Sequence, residues 1–181
     1  MCIMAFHHVA IATSNLDAAH RFYTEAMGFR LVHVEAGDAP EGDAWFRHVF
    51  YDTGDGSLLA LFELHGDRYV GMDLAISRGL GLPNWVNHIA FGADDLPSLD
   101  AAQDRWLKHG LDVMRVDHGT VISIYTHDPD GNFIERSYWV HQPDAASAQQ
   151  AESLLRDPNP PRTSPLNIEF FAARGEPVPS A

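Results

Sequence analysis

The chain contains an internal repeat, which constrains its fold more than any other feature of the sequence. Residues 8–12 read HVAIA and residues 88–92 read HIAFG, so the two segments lie 80 positions apart. A helical segment closed by a glycine follows each of them, and three strand-like segments follow each helix. We therefore predict two units with the element order βαβββ, about residues 5–66 and 84–140, because self-similarity at a fixed period indicates repeated supersecondary units.

Hydrophobic periodicity and turn residues predict where the elements of each unit lie. In the first unit we expect strands at 6–12, 31–34, 45–51 and 57–64 and a helix at 16–27 with Ser14 or Asn15 as its N-cap. In the second unit we expect strands at 88–92, 111–116, 121–126 and 132–139 and a helix at 97–109. The linker, residues 67–83, is predicted to contain a short helix at 73–78, and a helix at 144–156 precedes a Pro-rich tail.

Length, charge and cysteine content limit the function classes that the chain can serve. Its 181 residues suffice for one domain, which we assign to residues 1–140, with residues 141–181 as the C-terminal helix and tail. The net charge of −13 excludes nucleic acid and an anionic membrane surface as partners, because both require clustered Lys and Arg. No stretch has the length of a membrane span, and the single cysteine, Cys2, is typical of the reducing cytoplasm. We expect a cytoplasmic protein that acts on a small molecule.

Side-chain alternation in the repeated strands predicts a metal site. Alternate residues of a strand share a face, so the apolar neighbours of His8 point towards the first helix while His8 points away from it. His88 has the same relation to the second helix. The last strand of each unit carries a glutamate, Glu63 in the first and Glu135 in the second. Two imidazoles and two carboxylates at corresponding places suit one Fe, Mn, Ni, Co or Zn ion, and a closed structural zinc site is excluded because thiolates are missing from the set.

Each of these residues also has a structural interpretation when it is taken alone. A single strand histidine usually belongs to the core or the surface, and Glu63 next to His65 fits a solvent-facing strand position. The recurrence at the same step of both units favours the metal site, since surface residues have no reason to recur together. We place the remaining strand and helix histidines outside the site: His7 by its parity, and His33, His48, His65 and His109.

Four segments together resemble the vicinal oxygen chelate superfamily, which includes glyoxalase I, extradiol dioxygenases, methylmalonyl-CoA epimerase and related antibiotic-resistance proteins. They are HVAI at 8–11, FY at 22–23 with MGF at 27–29, NHIAF at 87–91 and DPDGNFIE at 128–135. The resemblance implies an α+β fold in which two βαβββ modules form a cup-shaped mixed β-sheet half-barrel around a divalent metal, with the helices outside. It also implies that His8, His88 and Glu135 are the shared metal ligands. Glu63 falls where glyoxalase-like and epimerase-like members have a fourth ligand.

The stretch from His118 to Glu135 resembles the signature of the extradiol dioxygenases and favours one reaction. In those enzymes the residues that correspond to His118 and Tyr125 contact a bound catechol. We therefore expect an Fe(II)-dependent enzyme that cleaves a catechol-like aromatic ring, with Tyr125 and His118 as catalytic residues. The aromatic residues of the third strand are the expected substrate wall: Trp45, Phe46, Phe50 and Tyr51. The sequence departs from the extradiol pattern at 55–57, where DGS replaces an expected catalytic histidine.

Two other functions stay open at this point. In a glyoxalase-like lyase or an epimerase-like isomerase, all four side chains would bind the metal and one glutamate, Glu63 or Glu135, would act as the base. A binding protein of the resistance type would use the same fold without turnover. Members of the superfamily commonly form homodimers, and the sequence leaves open whether His8 and His88 meet within one chain or across an interface.

Overall fold

The first repeat forms a four-stranded mixed sheet with one helix against it. The computed structural model describes residues 6–40 and 42–174. Its first unit consists of β1 (His8–Thr13), α1 (Leu16–Arg21), β2 (Arg30–Asp38), β3 (Trp45–Asp52) and β4 (Leu58–His65). The strand order is β1-β4-β3-β2, in which β1 runs parallel to β4 and the other pairs are antiparallel. The predicted βαβββ order of this unit is confirmed.

The second repeat forms a second sheet of the same plan with one additional strand. It consists of β5 (His88–Gly92), α2 (Leu96–Lys108), β6 (Val113–Asp117), β7 (Val121–His127) and β8 (Phe133–Trp139). After α3 (Ala145–Arg156), the strand β9 (Asn167–Phe171) pairs antiparallel with β6, which gives the order β5-β8-β7-β6-β9. The sequence predicted α3 but only a tail after it, whereas the structure has a strand there. The division of the chain at residue 140 stays a prediction.

Local signals begin and end the helices as the sequence predicted. Asn15 caps α1 by accepting a 3.0 Å hydrogen bond from the backbone N–H of Ala18. The helix continues as one π-helical turn (Phe22–Ala26) and is followed by Gly28, whose φ of +80° favours glycine. The linker helix predicted at 73–78 is wrong, since the structure has two short 3₁₀ turns instead, Asp67–Tyr69 and Arg78–Leu80.

One hydrophobic core joins the helices to one face of each sheet. Leu59 and Leu61 of β4 and Ile124 and Ile134 of the second sheet are buried in it together with helix residues such as Trp106. The opposite face of each sheet carries His8 in the first unit and His88 in the second, and we call it the helix-free face. This arrangement confirms the α+β class with helices outside two cupped sheets, and the two sheets are separate rather than closed.

The turn that precedes β8 fastens the second unit to the first. Both Asp130 oxygens accept hydrogen bonds from the end of β1 and the residue after it, one from Thr13 Oγ1 at 2.6 Å and one from Ser14 Oγ at 2.5 Å. Tyr23 donates a 2.8 Å hydrogen bond to Asp128, which is also buried. Burial and the Asp128 carboxylate together raise the pKa of Tyr23 well above its usual value, so Tyr23 stays a donor. Within the described part of the chain, no helix is long and apolar enough to cross a membrane.

Candidate metal centre

His88 and Glu135 lie side by side on the helix-free face of the second sheet. Strand β5 runs parallel to β8 with His88 opposite Phe133 and Ala90 opposite Glu135, so the two side chains are diagonal neighbours. Nε2 of His88 lies 3.0 Å from Oε2 of Glu135. Two ligands at right angles on one ion, each about 2.1 Å from it, are about 3 Å apart. The pair therefore has the separation that two ligands of a shared metal ion require.

A hydroxyl group and an aromatic side chain border this pair. Ser123 donates a 2.5 Å hydrogen bond to Oε1 of Glu135, which leaves Oε2 directed at His88. Tyr125 stands opposite Glu135 in the register of β7 and β8, and its hydroxyl lies 3.2 Å from Nε2 of His118. Burial raises the pKa of Tyr125 to about 12, so its hydroxyl keeps its proton near neutral pH. The structure thus brings His118, Tyr125 and Glu135 together, while their catalytic roles stay predictions.

His8 occupies the corresponding face of the first sheet. Its ring packs edge-on against Phe50 with 5.5 Å between ring centroids, and its Nδ1 lies 2.8 Å from Nδ1 of His7. A cleft of about 650 Å³ is lined by residues of the two edge strands, with Val9 from β1 and Ala90 from β5. Among residues 6–40 and 42–174, no three His, Cys, Asp or Glu side chains are grouped so that they could hold a metal ion. One described chain therefore presents a His–Glu pair and a separate histidine.

Glu63 lies on the opposite face of β4 from the face that carries His8. In the register of β1 and β4, His8 stands opposite Leu58, so Ala60 has the place that Glu135 has in the second sheet. Glu63 is an odd number of positions from Leu58 and points to the helix side. There its carboxylate contacts Arg47 Nη1 at 3.1 Å and His65 Nε2 at 2.9 Å. This placement argues against Glu63 as the fourth ligand or as the base, and our proposal omits it.

The predicted substrate wall is divided between the two faces of the first sheet. Tyr51 is fully buried in the core and contacts Nδ1 of His20 at 3.1 Å, so its prediction as a wall residue is wrong. Trp45 also points to the helix side, where it stacks on His65 with 3.7 Å between ring centroids. Phe46 and Phe50 share the helix-free face with His8. Strand alternation explains the division, because the side chains of consecutive strand residues point to opposite faces of the sheet.

The sequence reasoning missed a buried histidine next to His8. His48 is 7% exposed, stacks on Phe62 with 3.7 Å between centroids and lies 6.2 Å from the His8 ring. Its Nδ1 is 3.2 Å from Oε1 of Glu35. The signal was present in the sequence, since His48 is two positions from Phe50 and shares its face. From the sequence alone, we place His48 with the structural histidines, outside the site.

Comparison with known proteins decides the family. The family model described as "Glyoxalase/Bleomycin resistance protein/Dioxygenase superfamily" matches residues 5–135, which include His8, His88 and Glu135. The chain belongs to this superfamily. Its members bind divalent metal ions, and the His–Glu pair with the separate His8 is a donor set of the right chemistry for one.

The relatives within the superfamily carry the name of one reaction. A probable lactoylglutathione lyase of Synechocystis sp. is 31% identical over 133 residues, which are 71% of this chain and 90% of the relative. The lactoylglutathione lyase of Neisseria meningitidis serogroup A is 30% identical over 138 residues, 73% of this chain and 88% of the relative. A fosfomycin resistance protein from Mesorhizobium loti has the same fold, with a TM-score of 0.54 at 23% identity, over 82% of this chain and 99% of its own. The superfamily and these names indicate an enzyme, and they favour a lyase over the dioxygenase that we expected.

Proposed function

We propose that this protein is a metal-dependent lyase or isomerase of the glyoxalase type. It would move a proton on a small molecule that carries two neighbouring oxygen atoms. The 3.0 Å contact between His88 Nε2 and Glu135 Oε2, on the helix-free face of the second sheet, is the observation that carries the proposal. The names of the relatives that match 71% and 73% of the chain support the choice of reaction class.

His8, His88 and Glu135 are the ligands of the proposed metal. Two imidazoles and one carboxylate suit Ni, Co, Zn, Mn or Fe. A bound divalent ion would stabilise the negative charge that develops on the substrate oxygens when a neighbouring carbon loses its proton. Glu135 accepts a hydrogen bond from Ser123 at Oε1 and lies beside His88 at Oε2, so it is our candidate for the base.

We propose that the complete site forms in a homodimer. In one chain, His8 lies on the first sheet and the His88–Glu135 pair on the second, and the two sheets are separate. A second copy that presents its first sheet to this second sheet would add its His8 to the pair. Such an arrangement of two identical chains produces two equivalent sites, as the symmetry of a dimer requires.

Extradiol ring cleavage is the second candidate, because one contact in the structure suits it as well as the lyase. His118 and Tyr125 are in contact at 3.2 Å, and Tyr125 stands opposite Glu135. In the lyase proposal, the protonated Tyr125 hydroxyl donates a hydrogen bond to a substrate oxygen, with His118 behind it. The same contact serves a catecholate oxygen in the oxygenase, so the two candidates differ in chemistry and not in this geometry.

Metal analysis combined with two activity assays tests the proposal. The purified protein is analysed by inductively coupled plasma mass spectrometry, reloaded with Ni, Co, Zn, Mn or Fe(II), and assayed with hemithioacetals of glutathione and with catechols. We expect a bound divalent metal and conversion of a hemithioacetal without oxygen consumption. Oxygen uptake with a catechol and Fe(II), and no conversion of any hemithioacetal, would establish the second candidate instead. The predicted cytoplasmic location is independent of this outcome and stays a prediction; Cys2, which the sequence argument used, lies outside the described residues.

A further inference from the structure

A row of side chains crosses the second sheet from the proposed metal centre to its far edge. Tyr125 stands opposite Glu135, Met114 opposite Tyr125, and Phe170 opposite Met114. Side chains of directly opposed residues point to the same side of a sheet, so all four lie on the helix-free face. Neighbouring strands are about 4.8 Å apart, and the row therefore extends about 14 Å from Glu135 to Phe170.

A cavity lies beside this row. Its volume is about 530 Å³, and its lining includes Met114, Tyr125, Phe133, Phe170 and Phe171. The Tyr125 and Phe133 rings stack in parallel with 4.9 Å between their centroids. A volume of this size is typical of small-molecule sites.

The cavity shares a wall with the His88–Glu135 pair. Tyr125 stands opposite Glu135 on the neighbouring strand, and Phe133 stands opposite His88. The ring centroids of His88 and Phe133 are 6.4 Å apart. Tyr125 and Phe133 line the cavity as well. A molecule with its reacting atoms at the pair can therefore extend a substituent into the cavity without crossing a strand.

The charge of the lining favours an apolar occupant. Of the described residues that line the cavity, only Asp112 and His127 are ionisable apart from Tyr125, and none is Lys or Arg. Oδ1 of Asp112 accepts a 2.8 Å hydrogen bond from the backbone N–H of Ala173, which holds the chain just after β9. The carboxylates of a glutathione peptide would meet no cation here and would lie near Asp112. Burial of a carboxylate without a cation is unfavourable, while aromatic side chains favour an apolar group.

Strand β9 supplies the outer wall of the cavity. Phe170 is 77% exposed although it is a large aromatic residue on a sheet. Exposed apolar residues that border a cavity mark a binding surface more often than isolated ones do. Residues 167–171 also lie beyond the 5–135 segment that the superfamily model matches. The wall is therefore a feature that the match to the superfamily does not account for.

We propose that this cavity binds an apolar substituent, aromatic or alkyl, of the substrate. The inference rests on the proposed function, since it places the reacting oxygens at His88 and Glu135. The substituent lies between Phe133 and Tyr125 on one side and Met114 and Phe170 on the other. The preferred substrate is then a compound with two neighbouring oxygens and a bulky apolar group, and the charged glutathione peptide does not occupy the cavity.

Titration with a neutral fluorescent probe tests this inference directly. The full-length, metal-loaded protein is titrated with N-phenyl-1-naphthylamine, whose emission rises in apolar sites. We expect one probe per chain and a Kd that rises about tenfold in Phe170→Ala and in Met114→Ala, since a buried apolar side chain contributes about that factor. Ile168→Ala is the matched control because Ile168 lies on the same strand and face but does not line the cavity. Its Kd should equal that of the unaltered protein.

Two results would overturn the inference. One is the absence of probe binding, or a Kd that is the same in all variants. The other is that the unaltered protein is a dimer without affinity for the probe and that sedimentation shows Phe170→Ala to be a monomer. Phe170 would then be covered by a second copy and not by a substrate. Glu135→Ala separates the two proposals: it should lose metal and lyase activity and still bind the probe. Metal and activity without probe binding contradict only the cavity, whereas probe binding without metal or activity contradicts only the proposed function.

Discussion

Ser123 donates a 2.5 Å hydrogen bond to Oε1 of Glu135, and the other carboxylate oxygen faces His88 at 3.0 Å. Ser123 and Glu135 are both buried. The hydroxyl thereby selects one rotamer of Glu135 before any metal binds. Groups that orient a ligand in this way are worth about 10- to 100-fold in metal affinity.

We expect Ser123→Ala to weaken metal binding by about 10-fold or more, because Oε1 of Glu135 loses its partner. The metal Kd measured by competition with a chromogenic chelator checks this. Ser137→Ala is the control, since Ser137 stands opposite Ser123 on the same face. Equal metal affinity in the two variants would show that Ser123 does not orient Glu135.

Glu63→Ala and Glu135→Ala should differ in metal content. Glu63 is bound to Arg47 and His65 on the helix side, so its loss should leave the metal stoichiometry unchanged. Glu135→Ala should abolish metal binding at micromolar concentrations. Mass spectrometry of the purified variants measures both. If Glu63→Ala lost the metal and Glu135→Ala kept it, Glu63 would be a metal ligand and our assignment of Glu135 would be wrong.

Tyr125→Phe should reduce kcat by about 100-fold, the usual effect of removing one donor to a developing negative charge, and should retain the metal. His118→Ala should have a smaller effect in the same direction, since His118 reaches the substrate through the Tyr125 hydroxyl in our proposal. Steady-state kinetics with metal analysis of each variant tests this order. A larger defect in His118→Ala would mean that His118 contacts the substrate directly.

Mixing two inactive variants should restore activity if two chains share each site. We expect His8→Ala and Glu135→Ala to be inactive alone and to recover about a quarter of the activity after their chains are mixed and exchanged. Half of the dimers are then mixed, and each mixed dimer has one intact site. A site formed within one chain would regain no activity, because neither chain then carries all three ligands.

Tyr23→Phe should destabilise the protein by about 1.5–3 kcal/mol, because it removes a hydrogen bond to the buried Asp128 carboxylate. Urea unfolding followed by circular dichroism measures the free energy of unfolding. Tyr51→Phe is the control, since the Tyr51 hydroxyl contacts the ring of the partly exposed His20 rather than a buried carboxylate. A smaller loss of unfolding free energy in Tyr23→Phe than in Tyr51→Phe would contradict a stabilising role for the Tyr23–Asp128 hydrogen bond between the two units.

The predictable parts of the site come from local patterns. The structure places His88 and Glu135 on one face of the second sheet, and this placement follows from strand alternation and the turn at 128–131, which are local properties of the chain. The resemblance to the extradiol signature linked Tyr125 to Glu135, and the structure places Tyr125 opposite Glu135 in the neighbouring strand of the hairpin. The recurrence of a histidine and a glutamate in both units predicted a metal site, and the family resemblance then indicated which of them are the shared ligands.

By itself, the sequence determined the two βαβββ units, the helix caps and the histidine that each unit presents away from its helix. Only the tertiary structure decided the face of Glu63 and the pairing of β9 with β6. The physical reason is that register is set by pairing between distant strands, and a shift of one residue moves a side chain to the other face. Glu135 is two positions from the residue opposite His88, whereas Glu63 is five positions from the residue opposite His8. That odd step turns Glu63 towards Arg47, and the equivalence that the repeat predicted in sequence is absent in space.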